Sequence, residues 1–115
     1  MYREEEMLLP IKKKWFDMIL SGEKKEEYRE IKPYYTKRLQ NIFGVNAEQW
    51  EKMCKSMEFP FPFTVTFRNG YSSASPSFDA EVSLKVGYGR EEWGASPGIK
   101  YYVLKIEKIR QLSTT

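Results

Sequence analysis

Two segments of the chain alternate so strictly between apolar and polar residues that they leave little choice of secondary structure. Phe63, Val65 and Phe67 are separated by Thr64, Thr66 and Arg68, and Ala80, Val82, Leu84 and Val86 follow Asp79, Glu81, Ser83 and Lys85 in turn. A period of two sends successive side chains to opposite faces of a pleated backbone, so each segment is predicted to be a half-buried strand. A last strand carries Tyr102, Leu104 and Ile106. Val65, Phe67, Val82, Leu84, Leu104 and Ile106 are then expected to point inward together. Asn69-Gly70 is a tight-turn dipeptide, followed by a small-residue loop from Ser72 to Ser77. A glycine-rich loop, 87–98, precedes the last strand.

The N-terminal half reads differently. Met7 to Ile11 forms a first strand, with Pro10 marking an edge or a strand end. Lys13 to Ser21 forms a short helix with Trp15, Met18 and Ile19 at helical spacing, and Gly22 stands where a left-handed cap is expected. Lys25 to Ile31 is predicted to be a strand in spite of its charge; such a conflict with propensity is expected where a segment faces a cleft. Pro33 opens a second helix with Tyr35, Leu39, Ile42 and Phe43 on one face. Asn46 and Gln49 form a capping box for a third helix, with Val45 and Trp50 as its hydrophobic staple. That helix is expected to bury Trp50, Met53, Cys54 and Met57. No internal repeat is present, and 115 residues make a single domain, 1–115.

Composition removes whole classes of chemistry. The chain has no histidine and one cysteine, which excludes Ser-His or Cys-His catalysis, histidine-ligated zinc, multi-cysteine metal sites and an internal disulfide. An unpaired thiol suits a reducing compartment. The apolar runs fall well short of the roughly 20 residues that span a bilayer, and the acidic start, Glu4-Glu5-Glu6, lacks the basic and apolar regions of a signal peptide. A cytoplasmic location, with no membrane partner, is the expectation.

The net charge of +3 is unevenly spread. Residues 12–38 hold nine Lys/Arg against five Asp/Glu, and residues 100–115 hold four against one. These segments are either ordinary solvated faces or, if the fold brings them together, a patch suited to phosphate.

The densest chemistry lies in Ser21-Gly22-Glu23-Lys24-Lys25-Glu26-Glu27-Tyr28-Arg29. In an extended strand Glu27 and Arg29 share a face. Lys24 has the opposite parity, but at a helix-to-strand turn its flexible stem can reach across, and it reads as a surface residue. Arg29 suits a two-pronged contact with phosphate or carboxylate. Glu27 can orient Arg29, accept a base amino proton, or act as a general base. Lys24, if desolvated, can act as nucleophile or base. The plain alternative is an exposed strand face crossed by a Glu27–Arg29 ion pair worth under about 1 kcal/mol. Trp93, Tyr71 and Tyr88 are either stacking surfaces for bases or closures of the sheet ends, and Arg68 can add a phosphate contact. Glu26, Glu27 and Glu30 are acidic neighbours, but the surrounding lysines and arginine argue against a metal.

Gly22, Lys24, Glu27 and Arg29 spell G-x-K-x-x-E-x-R after a short amphipathic helix and at the opening of a strand. This resembles the ASCH domain of the PUA-like superfamily. Trp15 to Leu20, Phe67-Arg68-Asn69-Gly70-Tyr71 and Glu92-Trp93-Gly94-Ala95 extend the likeness to small ASCH proteins of bacteria and their phages. The resemblance implies an α+β fold, a small PUA-like β-barrel with short helices packed over it, and a cleft that binds RNA or a nucleotide. Lys24, Glu27, Arg29, Arg68, Tyr71 and Trp93 are its expected ligand-binding residues. No cofactor and no metal are implied. Some members of the family are amidohydrolases acting on N4-acetylcytidine, and that rival reading makes Lys24 and Glu27 catalytic. It resembles a threonine-bearing version of the motif, where this chain has Glu27, and it needs a second carboxylate beside Lys24, with Glu81, Glu91 and Glu92 as the candidates.

Overall fold

Phe63–Asn69 (β3) and Ser77–Tyr88 (β4) pair antiparallel, with Phe63 opposite Val82, Val65 opposite Ala80 and Phe67 opposite Phe78. The computed structural model describes residues 6–113, and side chains within residues 7–110. β4 also pairs antiparallel with Lys100–Ser113 (β5), bringing Leu84 opposite Leu104 and Val86 opposite Tyr102. β5 in turn pairs with Glu26–Glu30 (β2), and Glu6–Ile11 (β1) runs parallel to β3. The sheet order is β1-β3-β4-β5-β2, a five-stranded sheet curled into a half-barrel. Register shifts after Asp79 and Glu81 are of the kind that bend a strand and increase its twist.

The inward set behaves as the alternation requires. Val65, Phe67, Val82, Leu84 and Leu104 are buried, and Ile106 is half-buried against the same core. A fully buried side chain of this size stabilises the fold by about 1.5–3 kcal/mol. Three helices pack on the sheet: Lys13–Leu20 (α1), Pro33–Phe43 (α2) and Ala47–Ser56 (α3). α1 buries Phe16 and Ile19, and α2 buries Leu39, Ile42 and Phe43. The capping box of α3 forms in full: Asn46 Oδ1 accepts from the Gln49 amide at 2.8 Å, and Gln49 Oε1 accepts from the Asn46 amide at 2.9 Å.

Three local expectations need correction. Met57 is 48% exposed, because α3 ends at Ser56 and Met57 takes the left-handed conformation that caps it (φ 59°). Asn69-Gly70 does not make a two-residue hairpin. The Asn69 amide bonds to the Pro76 carbonyl across a loop of residues 70–76, while the Gly70 amide reaches the Ile11 carbonyl at 3.1 Å and ties β3 to β1. β4 runs on through Gly87 to Tyr88, so the glycine-rich loop starts later than the composition suggests.

The half-barrel leaves β1 and β2 as its two edges. α2 packs on β1, and Thr36 of α2 hydrogen-bonds the Tyr102 hydroxyl of β5 at 2.5 Å, so the helix lies across the inner side of the opening. A second, smaller core forms on the other face of β2 and β5, where Tyr28 and Val103 pack with Trp93 and Ala95. Among the described residues no helix is long and apolar enough to cross a membrane, and no group of three or more His, Cys, Asp or Glu is placed to hold a metal ion.

Candidate functional site

The end of α1 delivers Lys24 to its position. The Ser21 amide bonds to the Asp17 carbonyl and the Gly22 amide to that of Ile19, and Gly22 turns the chain with φ 87°. The Lys24 amide then closes back on the Met18 carbonyl at 2.9 Å, which fixes the lysine between helix and strand. Its side chain does not face solvent. Lys24 is 1% exposed, which overturns the expectation of a surface residue.

What permits a buried lysine is its set of partners. Nζ donates to the Trp93 carbonyl at 2.5 Å and pairs with Glu27 Oε1 at 3.1 Å. It also lies 4.9 Å from the ring centroids of both Trp15 and Tyr28, a placement in which each aromatic face attracts the cation. Burial dominates nevertheless and lowers the lysine pKa from its ordinary value; Glu27 opposes that shift, and Arg29 adds to it by repulsion.

Glu27 is 4% exposed. β2 presents it beside Leu104 on the inner face of the sheet, with Arg29 beside Tyr102 on the same face. Arg29 Nη1 donates to Glu27 Oε2 at 2.5 Å and to the Tyr28 carbonyl at 3.0 Å. Its Nη2 donates to the Pro10 carbonyl of β1 at 3.3 Å. The arginine therefore spans the opening of the half-barrel, edge to edge, while holding the carboxylate that holds Lys24. Its Nε is buried and unpartnered.

Tyr28 has the opposite parity and works on the other face. Its hydroxyl donates to Glu26 Oε1 at 2.8 Å and accepts from the Arg90 amide at 2.9 Å. Burial, with the Glu26 contact, pushes its pKa above the ordinary phenol value. The Arg90 bond anchors the turn Glu91–Trp93, so that the Trp93 carbonyl meets Lys24 while the Trp93 ring, with Arg90 4.8 Å from its centroid, packs on Tyr28.

These groups line a cleft of about 220 Å³ formed by Lys12, Trp15, Glu27, Tyr28, Arg29, Trp93 and Gly94. Lys24 lies behind its wall. The structure thus brings Lys24, Glu27, Arg29 and Trp93 together. Arg68 lies on β3 opposite Pro10, and Tyr71, 89% exposed, lies in the 70–76 loop; neither lines the cleft. Tyr88 sits at the end of β4, with Lys100 5.9 Å from its ring centroid. Lys12, Trp15, Tyr28 and Gly94 escaped the sequence reading as cleft residues. Trp15 shares its helical spacing with Met18 and Ile19, which does not distinguish a cleft residue from a core one, and the one signal for Tyr28 is its place inside the motif.

The arrangement can do two things. An aromatic and cationic cleft with a fixed carboxylate can hold a flat, hydrogen-bonding ring and an attached anion. A lysine pushed toward its neutral form beside a carboxylate can transfer a proton or attack a carbonyl. Of the carboxylates considered for a second acidic group, none pairs with Lys24: Glu92 pairs with Arg90 at 3.7 Å, Glu81 lies on β4 opposite Lys108, and Glu91 opens the short turn. No family model, no curated protein and no solved structure matches the chain.

Proposed function

We propose that the protein is an ASCH-type, PUA-like domain that binds RNA or a nucleotide in the cleft beneath Trp15 and Trp93. The observation that supports this most is the composition of the cleft wall. Trp15, Tyr28 and Trp93 supply flat apolar surface, Lys12 and Arg29 supply positive charge, and Glu27 is an acceptor fixed by two cations. A volume of about 220 Å³ is below the roughly 300 Å³ at which pockets for drug-sized ligands begin, which suits one base or nucleoside. Arg68 and Tyr71 belong to this reading as outlying contacts to a longer strand. The protein in this reading is cytoplasmic and uses no metal.

Titration of tryptophan fluorescence with ribonucleoside monophosphates and short single-stranded RNA tests it. Binding is expected to quench Trp15 and Trp93, identified by Trp15→Phe and Trp93→Phe, and to weaken with salt at a slope of about −0.7 per phosphate contacted. Absence of binding at low salt overturns the reading.

A second reading, amidohydrolysis of an acylated pyrimidine nucleoside, rests on one observation: burial drives Lys24 toward its neutral, nucleophilic form beside Glu27. Release of acetate from N4-acetylcytidine is its assay, and absence of turnover by a protein that binds the nucleoside rejects it.

A further inference from the structure

We propose that the groove along α2 is a second nucleotide subsite, so that the site takes a single-stranded RNA segment rather than a lone nucleotide. This rests on the nucleotide reading of the cleft. The groove, about 410 Å³, is lined by Pro33, Tyr34, Lys37, Arg38 and Asn41. These residues recur along one side of the helix, and α2 with its preceding residue Lys32 contains three cations and no acidic residue. Lys32 pairs with Glu30 of β2 at 3.6 Å, while Lys37 and Arg38 have no carboxylate partner among the described residues and leave a positive surface complementary to a polyanion.

Charge alone does not single out RNA, but the ring at its centre does. Tyr34 is 60% exposed. Arg38 Nη1 donates to its hydroxyl at 3.0 Å, and the guanidinium lies 5.6 Å from its ring centroid. An exposed ring held in place by an arginine is the kind of platform on which an unpaired base stacks. The Arg38 Nε is buried without a partner.

The groove is also joined to the cleft. Arg29, in the cleft wall, lies 5.8 Å from the ring of Tyr35, and Lys32 Nζ lies 5.4 Å from that ring. Tyr35 meets Tyr34 edge-on with centroids 5.0 Å apart. The path from cleft to groove therefore runs Arg29, Tyr35, Tyr34, Arg38, with Lys32 beside it. A base in the cleft has its phosphate directed along cations toward a second stacking surface.

The test compares ribonucleoside monophosphates with a mixed-sequence RNA octanucleotide, on wild type, Tyr34→Ala and the double variant Lys37→Gln/Arg38→Gln. Thermal melts confirm folding, and a poly-glutamate titration serves as a base-free polyanion. Wild type is expected to bind the octanucleotide more tightly than any monophosphate. Tyr34→Ala is expected to weaken octanucleotide binding about tenfold, with monophosphate and poly-glutamate binding unchanged. The double variant is expected to flatten the salt slope by about 1.4, the share of two phosphate contacts. Monophosphate binding without a gain for the octanucleotide, or a gain that both variants keep, overturns the second subsite and leaves the cleft reading standing. Equal losses for RNA and poly-glutamate in the double variant, with Tyr34→Ala silent, reduce the groove to a non-specific polyanion patch and also overturn it. Wild type that binds neither ligand overturns both readings.

Discussion

Gly89 lies directly under the ring of Tyr28. A β-carbon on Gly89 would stand 2.5 Å from Tyr28 Cε1 and Cζ and 2.8 Å from the Ala95 side chain. No real Cβ contact is that short, and both neighbours belong to the small core that supports the Glu91–Trp93 turn. Gly89→Ala is therefore expected to destabilise the protein by about 1–3 kcal/mol through overpacking. It is also expected to shift Trp93, whose carbonyl holds Lys24. Gly87→Ala is the control: nothing lies within 4 Å of its added carbon and its backbone is not left-handed. A thermal melt showing equal effects would remove Gly89 from the support of the site.

Lys24 separates charge from volume. It is among the largest fully buried side chains, so Lys24→Ala both opens a cavity and leaves Glu27 with Arg29 as its remaining charged partner. Breaking a buried pair in this way is expected to cost about 3–5 kcal/mol. Lys24→Met keeps the stem and loses the charge, and should be milder. Lys24→Met/Glu27→Gln removes the Lys24–Glu27 pair but leaves Arg29 without its carboxylate, so it should be less stable than Lys24→Met, which keeps the Glu27–Arg29 pair. Denaturant titration of the four proteins checks this order. A Lys24→Met variant no more stable than Lys24→Ala would show that the lost charge, not the cavity, dominates, and a double variant as stable as Lys24→Met would show that Arg29 does not need its carboxylate.

The burial of Lys24 was the main feature that the sequence concealed. A lysine at a helix-to-strand turn ordinarily faces water. Here the partner that draws it inward is a backbone carbonyl, 69 residues away in sequence, and no side-chain pattern carries that information. Trp15 was hidden for a related reason: its helical spacing with Met18 and Ile19 reads as core, yet the helix turns Phe16 and Ile19 inward and leaves Trp15 at the cleft. What was legible was local. Pro10 marked an edge strand, Asn46 and Gln49 specified a helix start, and the alternation at 63–67 and 80–86 specified which side chains enter the core. Met57 failed because periodicity continues past Ser56 while the helix itself does not.

Alkaline titration is expected to act on the fold through Tyr28. Its pKa is raised in the folded protein from 10.0, so above pH 10.0 the unfolded chain gives up that proton first. The folded state then binds more protons than the unfolded one, and stability falls as pH rises. Lys24 works the other way. Its pKa is lowered from 10.5, so just below that pH the unfolded chain holds the extra proton and stability rises with pH. The Cys54 thiol, also raised by burial from 9.0, adds to the fall, so Tyr28→Phe should remove the Tyr28 share of it and Lys24→Met the rising contribution. Melts between pH 8 and 11 that keep the wild-type profile in both variants would refute the assignment.

Arg29 is expected to tolerate no conservative change. Its guanidinium makes three contacts at once: Glu27 Oε2 at 2.5 Å, the Tyr28 carbonyl at 3.0 Å and the Pro10 carbonyl at 3.3 Å. A lysine ammonium is a point charge on a flexible stem, and cannot reach a carboxylate on its own strand and a carbonyl on the opposite edge with one planar fork. Arg29→Lys should keep the ion pair with Glu27 and lose the bridge to β1. The Pro10 carbonyl and the inner edge of β1 then lose a charge-assisted hydrogen bond worth about 1.5–3 kcal/mol. Two measurements separate this from a purely electrostatic role. Amide exchange in β1 should accelerate in Arg29→Lys but not in Glu27→Gln, which leaves the Arg29–Pro10 bond in place. Nucleotide affinity should fall in both, because Arg29→Lys removes the planar fork from the cleft wall and Glu27→Gln removes its carboxylate. Unchanged β1 exchange in Arg29→Lys would show that α2 holds the two edges together without the arginine.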